Sequence, residues 1–268
     1  MTNIYFLASM TFKGAIRERT FYVLFLFALF LFFVTPYLAA IAPRQGIQVA
    51  LDFVMSTVSF AGLVLAIFLG SNLLTKDIDK KTIYSIITKP ISRSHYVLGG
   101  FFGMAFVLLV SILLLTAFGL LSFYITVKFF NSHGEQPGWL LVGVNLLFSL
   151  EMLLLLVSAS FLVSSVSTSS FLPLAFTIGF YYIGESIAKV KALLEASKPD
   201  EFSAIFKAVV NTAYYIFPNL TLFDFKVRAA YNLSVSVKEV LFIFSYGIIY
   251  TAILMVLTIK IFDKRDIA

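Results

Sequence analysis

Val97-Leu98-Gly99-Gly100-Phe101-Phe102-Gly103-Met104-Ala105-Phe106-Val107-Leu108-Leu109-Val110, continuing without Asp, Glu, Lys, Arg or His as far as Val127, is the stretch on which the fold turns. As a helix rising about 1.5 Å per residue, it is longer than a bilayer hydrocarbon core of about 30 Å. Five more apolar tracts run at 21–42, 50–74, 139–163, 170–188 and 239–262. Composition agrees, with 60% hydrophobic and 13% charged residues against roughly 25% charged in soluble domains. In hydrocarbon, backbone polar groups must be satisfied within the segment, which selects helices. The expected fold is all-α: a polytopic membrane protein with six transmembrane helices in one transmembrane domain, 1–268, plus short amphipathic interfacial helices.

Lys and Arg collect in the connections, and their asymmetry sets the orientation, because short cytoplasmic connections retain positive charge. Lys13, Arg17 and Arg19 precede the first tract; Lys76, Lys80, Lys81, Lys89 and Arg93 lie between the second and third; Lys260, Lys264 and Arg265 close the chain. The first connection holds only Arg44 and the third only Lys128. Both termini are therefore expected in the cytoplasm, with the chain in the cell membrane. The connection 189–238, expected outside, is also basic, but long connections follow the charge rule less strictly. The net charge of +6 points to membrane lipid rather than nucleic acid, since no aromatic-basic segment stands outside the apolar tracts. Absence of cysteine excludes disulfides, thiolate metal sites and a thiol nucleophile. Ala40 and Ala42 imitate the end of a signal peptide, yet the apolar run before them exceeds the usual length of about 7–15 residues, so it is read as a retained span.

Smaller signals refine the spans. Trp139 and Tyr22 at span ends suit the headgroup region. Gly99 and Gly103 form a small-xxx-small pair that admits a close helical neighbour. Pro36 and Pro173 are expected to kink the first and fifth spans. No internal repeat is visible, which counts against an inverted-repeat transporter.

The connection Thr75-Lys76-Asp77-Ile78-Asp79-Lys80-Lys81-Thr82-Ile83-Tyr84-Ser85-Ile86-Ile87-Thr88-Lys89-Pro90 places Ile78, Thr82, Ile83, Ile86 and Ile87 near helical spacing, with charges elsewhere around the turn. It reads either as a short amphipathic helix beneath the membrane or as a solvated basic loop. Pro90 ends the element, and Ser92 is placed to cap the next helix. Lys89-Pro90-Ile91-Ser92-Arg93, with Tyr96-Val97-Leu98-Gly99-Gly100 after it, resembles the hallmark of ATP-binding-cassette (ABC) type-2 permeases. Phe217-Pro218-Asn219-Leu220-Thr221-Leu222-Phe223-Asp224 and Phe262-Asp263-Lys264-Arg265-Asp266-Ile267 resemble the family's P-N-L-x-L-F and closing F-x-R-R-D segments. Lys81, Asp77 and Asp79 depart from its usual glycine and glutamates.

The resemblance implies the type V exporter layout: a permease subunit coupling ATP hydrolysis by a separate subunit to translocation. Its expected partners are a cytoplasmic ABC ATPase dimer and a second permease chain, identical or related. It implies that the coupling segment 75–96 docks in the ATPase through Ile78, Thr82, Ile83, Ile86, Ile87, Lys89, Pro90 and Arg93. The cytoplasmic helix 1–20, with Ile4, Tyr5, Ala8, Phe12 and Ala15 on one side, would be a second contact. The chain carries no G-x-x-x-x-G-K-[ST] loop, so it is expected to bind no cofactor itself and to be no enzyme; ATP and Mg belong to the partner.

In the outer connection, Phe202, Ile205, Phe206, Val209, Ala213 and Phe217 keep helical spacing, with a capping-box-like start at Ser197 and Asp200. The helix either lies at the interface or, with Phe202, Phe206, Pro218 and Asn219, forms an outer gate. Glu151 falls in mid-span and must face the protein interior, as a packing residue or as part of a translocation path. Asp52 and Glu185 lie close enough to span ends to reach headgroup water. The rival readings are an ion-coupled secondary transporter or channel, supported by Glu151, and a membrane-embedded enzyme, for which only isolated carboxylates and the separated His95 and His133 are at hand.

Overall fold

The computed structural model describes residues 2–17, 20–42, 44–79, 92–129, 136–197 and 202–264. Nine α-helices and one 3-10 turn account for nearly all of these, and no strand occurs among them. α1 is Thr2–Arg17, α2 Thr20–Ala40, α3 Gly46–Asp79, α4 Arg93–Phe129 and α5 Trp139–Ser164. α6 is Phe171–Ala196, α7 Ala204–Ile216, α8 Lys226–Ala230 and α9 Val237–Lys264, with the 3-10 turn Leu220–Phe223 between α7 and α8. α3, α4, α5, α6 and α9 are long and apolar enough to cross a bilayer, and α2 adds the apolar run Leu24–Ala40. These are the six expected spans, several of them longer than the sequence reading made them. α6 is the clearest case: it continues past residue 188 to Ala196, and Glu185–Lys189 (3.0 Å) and Lys191–Glu195 (3.9 Å) ion pairs line its last turns.

Apolar burial does not bring spans together in lipid, where tails are as apolar as leucine; close packing of small residues and interhelical hydrogen bonds do. α5 is the central helix, and Leu155 through Phe161 are all fully buried. α3 meets it along Gly62, Ala66 and Gly70: a Cβ on Gly62 would come 2.5 Å from Leu153 Cδ1, and one on Gly70 3.3 Å from Ser160 Cβ. α4 packs on α1, α2 and α3, and α9 and α6 flank α5. Many outward side chains, among them Phe25, Phe33, Phe102, Phe242 and Ile253, are exposed apolar groups, as a lipid-facing surface requires.

The two prolines differ. Pro36 stands inside α2 and supplies no N–H to the Phe32 carbonyl one turn back. Ser122 Oγ on α4 lies 3.2 Å from that carbonyl and supplies the missing donor. Pro173 is the third residue of α6, where no intrahelical donor is needed, so it starts the helix and does not kink it. The capping reading at Ser197 and Asp200 is likewise corrected. Ser197 ends α6, its Oγ donating to the Leu194 carbonyl at 2.8 Å, while α7 is capped by Ser203, whose Oγ accepts from the Phe206 N–H at 3.2 Å. Asp200 lies outside the described residues.

Candidate functional site: a joint between motifs and a polar cavity

At the end of the bundle where α1 starts and α9 finishes, α4 begins as its sequence prescribes. Ser92 Oγ accepts from the His95 N–H at 3.4 Å and also contacts His95 Nδ1. Arg93, one residue on, reaches across to α9, and Nη1 donates to the carbonyl oxygens of Phe262 (3.3 Å) and Asp263 (3.0 Å). Tyr96 stacks on Phe262 with centroids 6.1 Å apart. Arg93 and Tyr96, from the start of α4, and Phe262 and Asp263, from the closing F-D-K segment, therefore form one joint, a pairing that sequence spacing gave no means of seeing. α1 lies along the same part of α4. A Cβ on Gly99 would stand 2.5 Å from Leu7 Cβ, and one on Gly103 2.6 Å from Thr11 Cβ. Ile4, Leu7, Ala8 and Thr11 face α4, and Phe12 meets Phe106 edge-on at 4.7 Å. Tyr5, expected on the same side, is instead 80% exposed, because Leu7 and Thr11 carry the seam and leave Tyr5 on the opposite flank. Of the expected ATPase-contact residues, Arg93 is in the joint and Ile78 lies on the last turn of α3. Thr82, Ile83, Ile86, Ile87, Lys89 and Pro90 lie outside the described residues.

At the opposite end, the Pro218–Phe225 segment dips into the bundle. Asn219 Oδ1 accepts from the Thr221 N–H (3.2 Å) and hydroxyl (2.7 Å), which winds the 3-10 turn, and the Asn219 N–H donates to Tyr246 Oη at 2.9 Å. Leu220, Phe223 and Phe225 are buried, with Phe225 4.9 Å from the Phe148 ring and Leu220 pressed on Gly184. Pro218 is buried in this plug. Phe202 and Phe206 stack on each other at 5.3 Å near the start of α7. The four candidate gate residues thus divide between the plug and α7, whose Ile205, Val209 and Ile216 are exposed. Lys191 joins α6 to α7, its Nζ 3.8 Å from the Tyr214 ring centre.

Beneath the plug lies a cavity of about 300 Å³. Each wall is a helical stripe. Ser56, Ser59 and Leu63 come from α3, Asn145, Ser149 and Met152 from α5, and Tyr181 and Glu185 from α6, while Leu220, Phe223, Asp224 and Lys226 close it. Ser59 and Ser149 hydroxyls meet at 3.1 Å, and Lys226 pairs with Asp224 at 3.3 Å. Of the polar members, the sequence marks Glu185 as a carboxylate near a span end and Asp224 as part of the P-N-L-x-L-F segment, and gives neither a place in a shared cavity. The available signal was the i, i+3 and i, i+4 spacing of Ser56–Ser59 and Asn145–Ser149 within apolar tracts. Glu151 does not border this cavity; it is 7% exposed and packs on α9 at Gly247, where an added Cβ would meet its Cδ at 2.6 Å.

A six-span helical bundle with a motif joint at one end and a plugged polar cavity toward the other defines a multi-pass membrane transport protein. The family model described as ABC-2 family transporter protein matches residues 5–267, and the chain belongs to that family. It is therefore an ABC transporter permease, a membership that implies a partner ATPase. No curated protein gives a sequence match.

Proposed function

We propose that the chain is the membrane subunit of an ABC exporter, in which two permease chains are driven by two separate ATPase subunits that bind ATP and Mg. The ATPases dock on the face carrying Arg93 and both termini, which is the cytoplasmic face of the cell membrane. The observation that carries this reading is the Arg93 joint. Residues 75–96 run from the end of α3 to the start of α4, and Arg93 with Tyr96 ties that start to the end of α9. Gly99 and Gly103 tie it to α1. A displacement of the segment by an ATPase thus moves α1, α4 and α9 together, and packed helices pass on such shifts as rigid bodies. Outward release past the Pro218–Phe225 plug fits export.

The test replaces Ile83 and Ile86 with aspartate and measures ATPase recovered with the purified permease. Charges without counter-ions in a buried contact are strongly destabilising, so recovery should fall at least tenfold while membrane levels stay equal. Undiminished recovery with unchanged transport would reject the docking role. Cysteine at Thr82 should stay unlabelled by an impermeant thiol reagent outside intact cells; labelling from outside would reverse the topology.

A further inference from the structure

The cavity beneath the plug takes no part in the joint, and its chemistry is specific. Asn145, 1% exposed, borders it. Its Oδ1 accepts from the Phe225 N–H at 3.2 Å; a backbone N–H only donates, so this bond fixes the amide orientation and turns Nδ2 away from Phe225. Nδ2 is buried and has no hydrogen-bond partner among the described residues. An unmatched buried donor favours any ligand that brings an acceptor. Two carboxylates, Glu185 and Asp224, and one ammonium, Lys226, line the cavity. Glu185 also pairs with Lys189, which lies outside the lining, at 3.0 Å, and Asp224 with Lys226 at 3.3 Å. The rings of Tyr181 and Phe223 border the same space, aromatic rings being groups on which a cation is stabilised. The lining thus holds donors and a positive group for an oxygen-rich end, and two carboxylates with aromatic rings for a positive one.

We propose that this cavity binds a small zwitterion. Its ammonium end sits between Glu185, Asp224 and the Tyr181 and Phe223 rings, and its oxygen-bearing end meets Asn145 Nδ2 and Lys226. The volume suits a headgroup and not a bulky solute. Phe60 borders the cavity while 57% exposed on the outer surface of α3, so the site has a flank on lipid and accepts a headgroup still attached to its acyl chains. The same chemistry describes a soluble amino-phosphate.

The two sources separate in one experiment. Purified permease in detergent is titrated calorimetrically with phosphoethanolamine, and permease in nanodiscs of phosphatidylethanolamine or phosphatidylglycerol is examined by native mass spectrometry. Wild type should bind phosphoethanolamine saturably, and the Glu185→Gln, Asp224→Asn double variant at least tenfold more weakly. Preferential retention of phosphatidylethanolamine marks a lipid ligand; phosphoethanolamine binding without lipid retention marks a soluble one. Should the double variant not survive purification, Glu185→Gln alone, at a carboxylate 30% exposed, should weaken binding at least threefold. Absence of binding in both arms, or undiminished binding by the folded variants, overturns the proposal. No ATPase enters the measurement, so its failure leaves the coupling proposal standing.

Discussion

Arg93 closes the end of α9, its Nη1 donating to the Asp263 carbonyl at 3.0 Å across 170 positions of chain. The last carbonyls of a helix have no intrahelical donor and carry the negative end of the helix dipole, so a guanidinium there satisfies both hydrogen bond and charge. Removing it in Arg93→Ala should cost about 1–2 kcal/mol, the range for a charged hydrogen bond partly open to water. Lysine keeps the charge but not the planar fork, so Arg93→Lys should fall between alanine and wild type. Thermal unfolding in detergent orders the three. An alanine variant as stable as wild type would mean that the joint contributes nothing to holding α9.

The seam between α1 and α4 rests on glycine. A Cβ on Gly103 would stand 2.6 Å from Thr11 Cβ and 2.9 Å from the Ala8 carbonyl, and backbone cannot yield as a flexible side chain can. Gly103→Val should destabilise by about 1–3 kcal/mol, as overpacking does, and should open α1 to proteolysis. Gly143 and Gly179 have nothing within 4 Å of an added Cβ, so alanine there should be neutral or gain up to about 1 kcal/mol of helix propensity. Equal proteolytic rates for Gly103→Val and Gly143→Ala would remove the seam from the account.

Glu151 is buried against α9 at Gly247. Glutamine has the same shape and no charge, so Glu151→Gln should leave the folded yield and unfolding temperature unchanged, whatever it does to transport. Lysine is longer and cationic at a depth where charge is expensive, and Glu151→Lys should lower the yield of monodisperse protein severalfold. Tolerance of lysine, measured by size-exclusion chromatography, would place the side chain in a hydrated path instead of a packed contact.

These residues show why the spans were legible and the site was not. A run such as 97–127 declares its helix by length and lack of charge, properties local to the sequence. Gly99 and Gly103 announced a close neighbour by spacing, but nothing local named α1 as that neighbour. Arg93 read as a contact for another protein because its K-P-I-S-R segment resembles a family hallmark, while its carbonyl partners lie at the far end of the chain. The cavity depends on five separate elements converging, and serine in an apolar helix otherwise bonds back to its own turn, as Ser111 does to the Val107 carbonyl at 2.8 Å.

Pro36 and Ser122 supply the last prediction, because each accounts for the other. Proline leaves the Phe32 carbonyl without its helical donor, and Ser122 Oγ stands 3.2 Å from it and 3.2 Å from the Leu31 carbonyl. One hydroxyl proton serves two acceptors, but Leu31 also accepts from Thr35 Oγ1 at 2.6 Å, so Phe32 is the acceptor that depends on serine. Ser122→Ala should therefore cost about 1–2 kcal/mol, the penalty of an unsatisfied buried carbonyl. In a Pro36→Ala background the residue at 36 regains an N–H, the Phe32 carbonyl closes its own turn, and the same Ser122→Ala change should cost less than about 0.5 kcal/mol. The difference is the coupling energy of a double-mutant cycle, read from unfolding of the four proteins in one detergent. A cycle that closes to zero would mean that Ser122 holds α2 to α4 by packing alone and that the carbonyl freed by Pro36 is satisfied elsewhere.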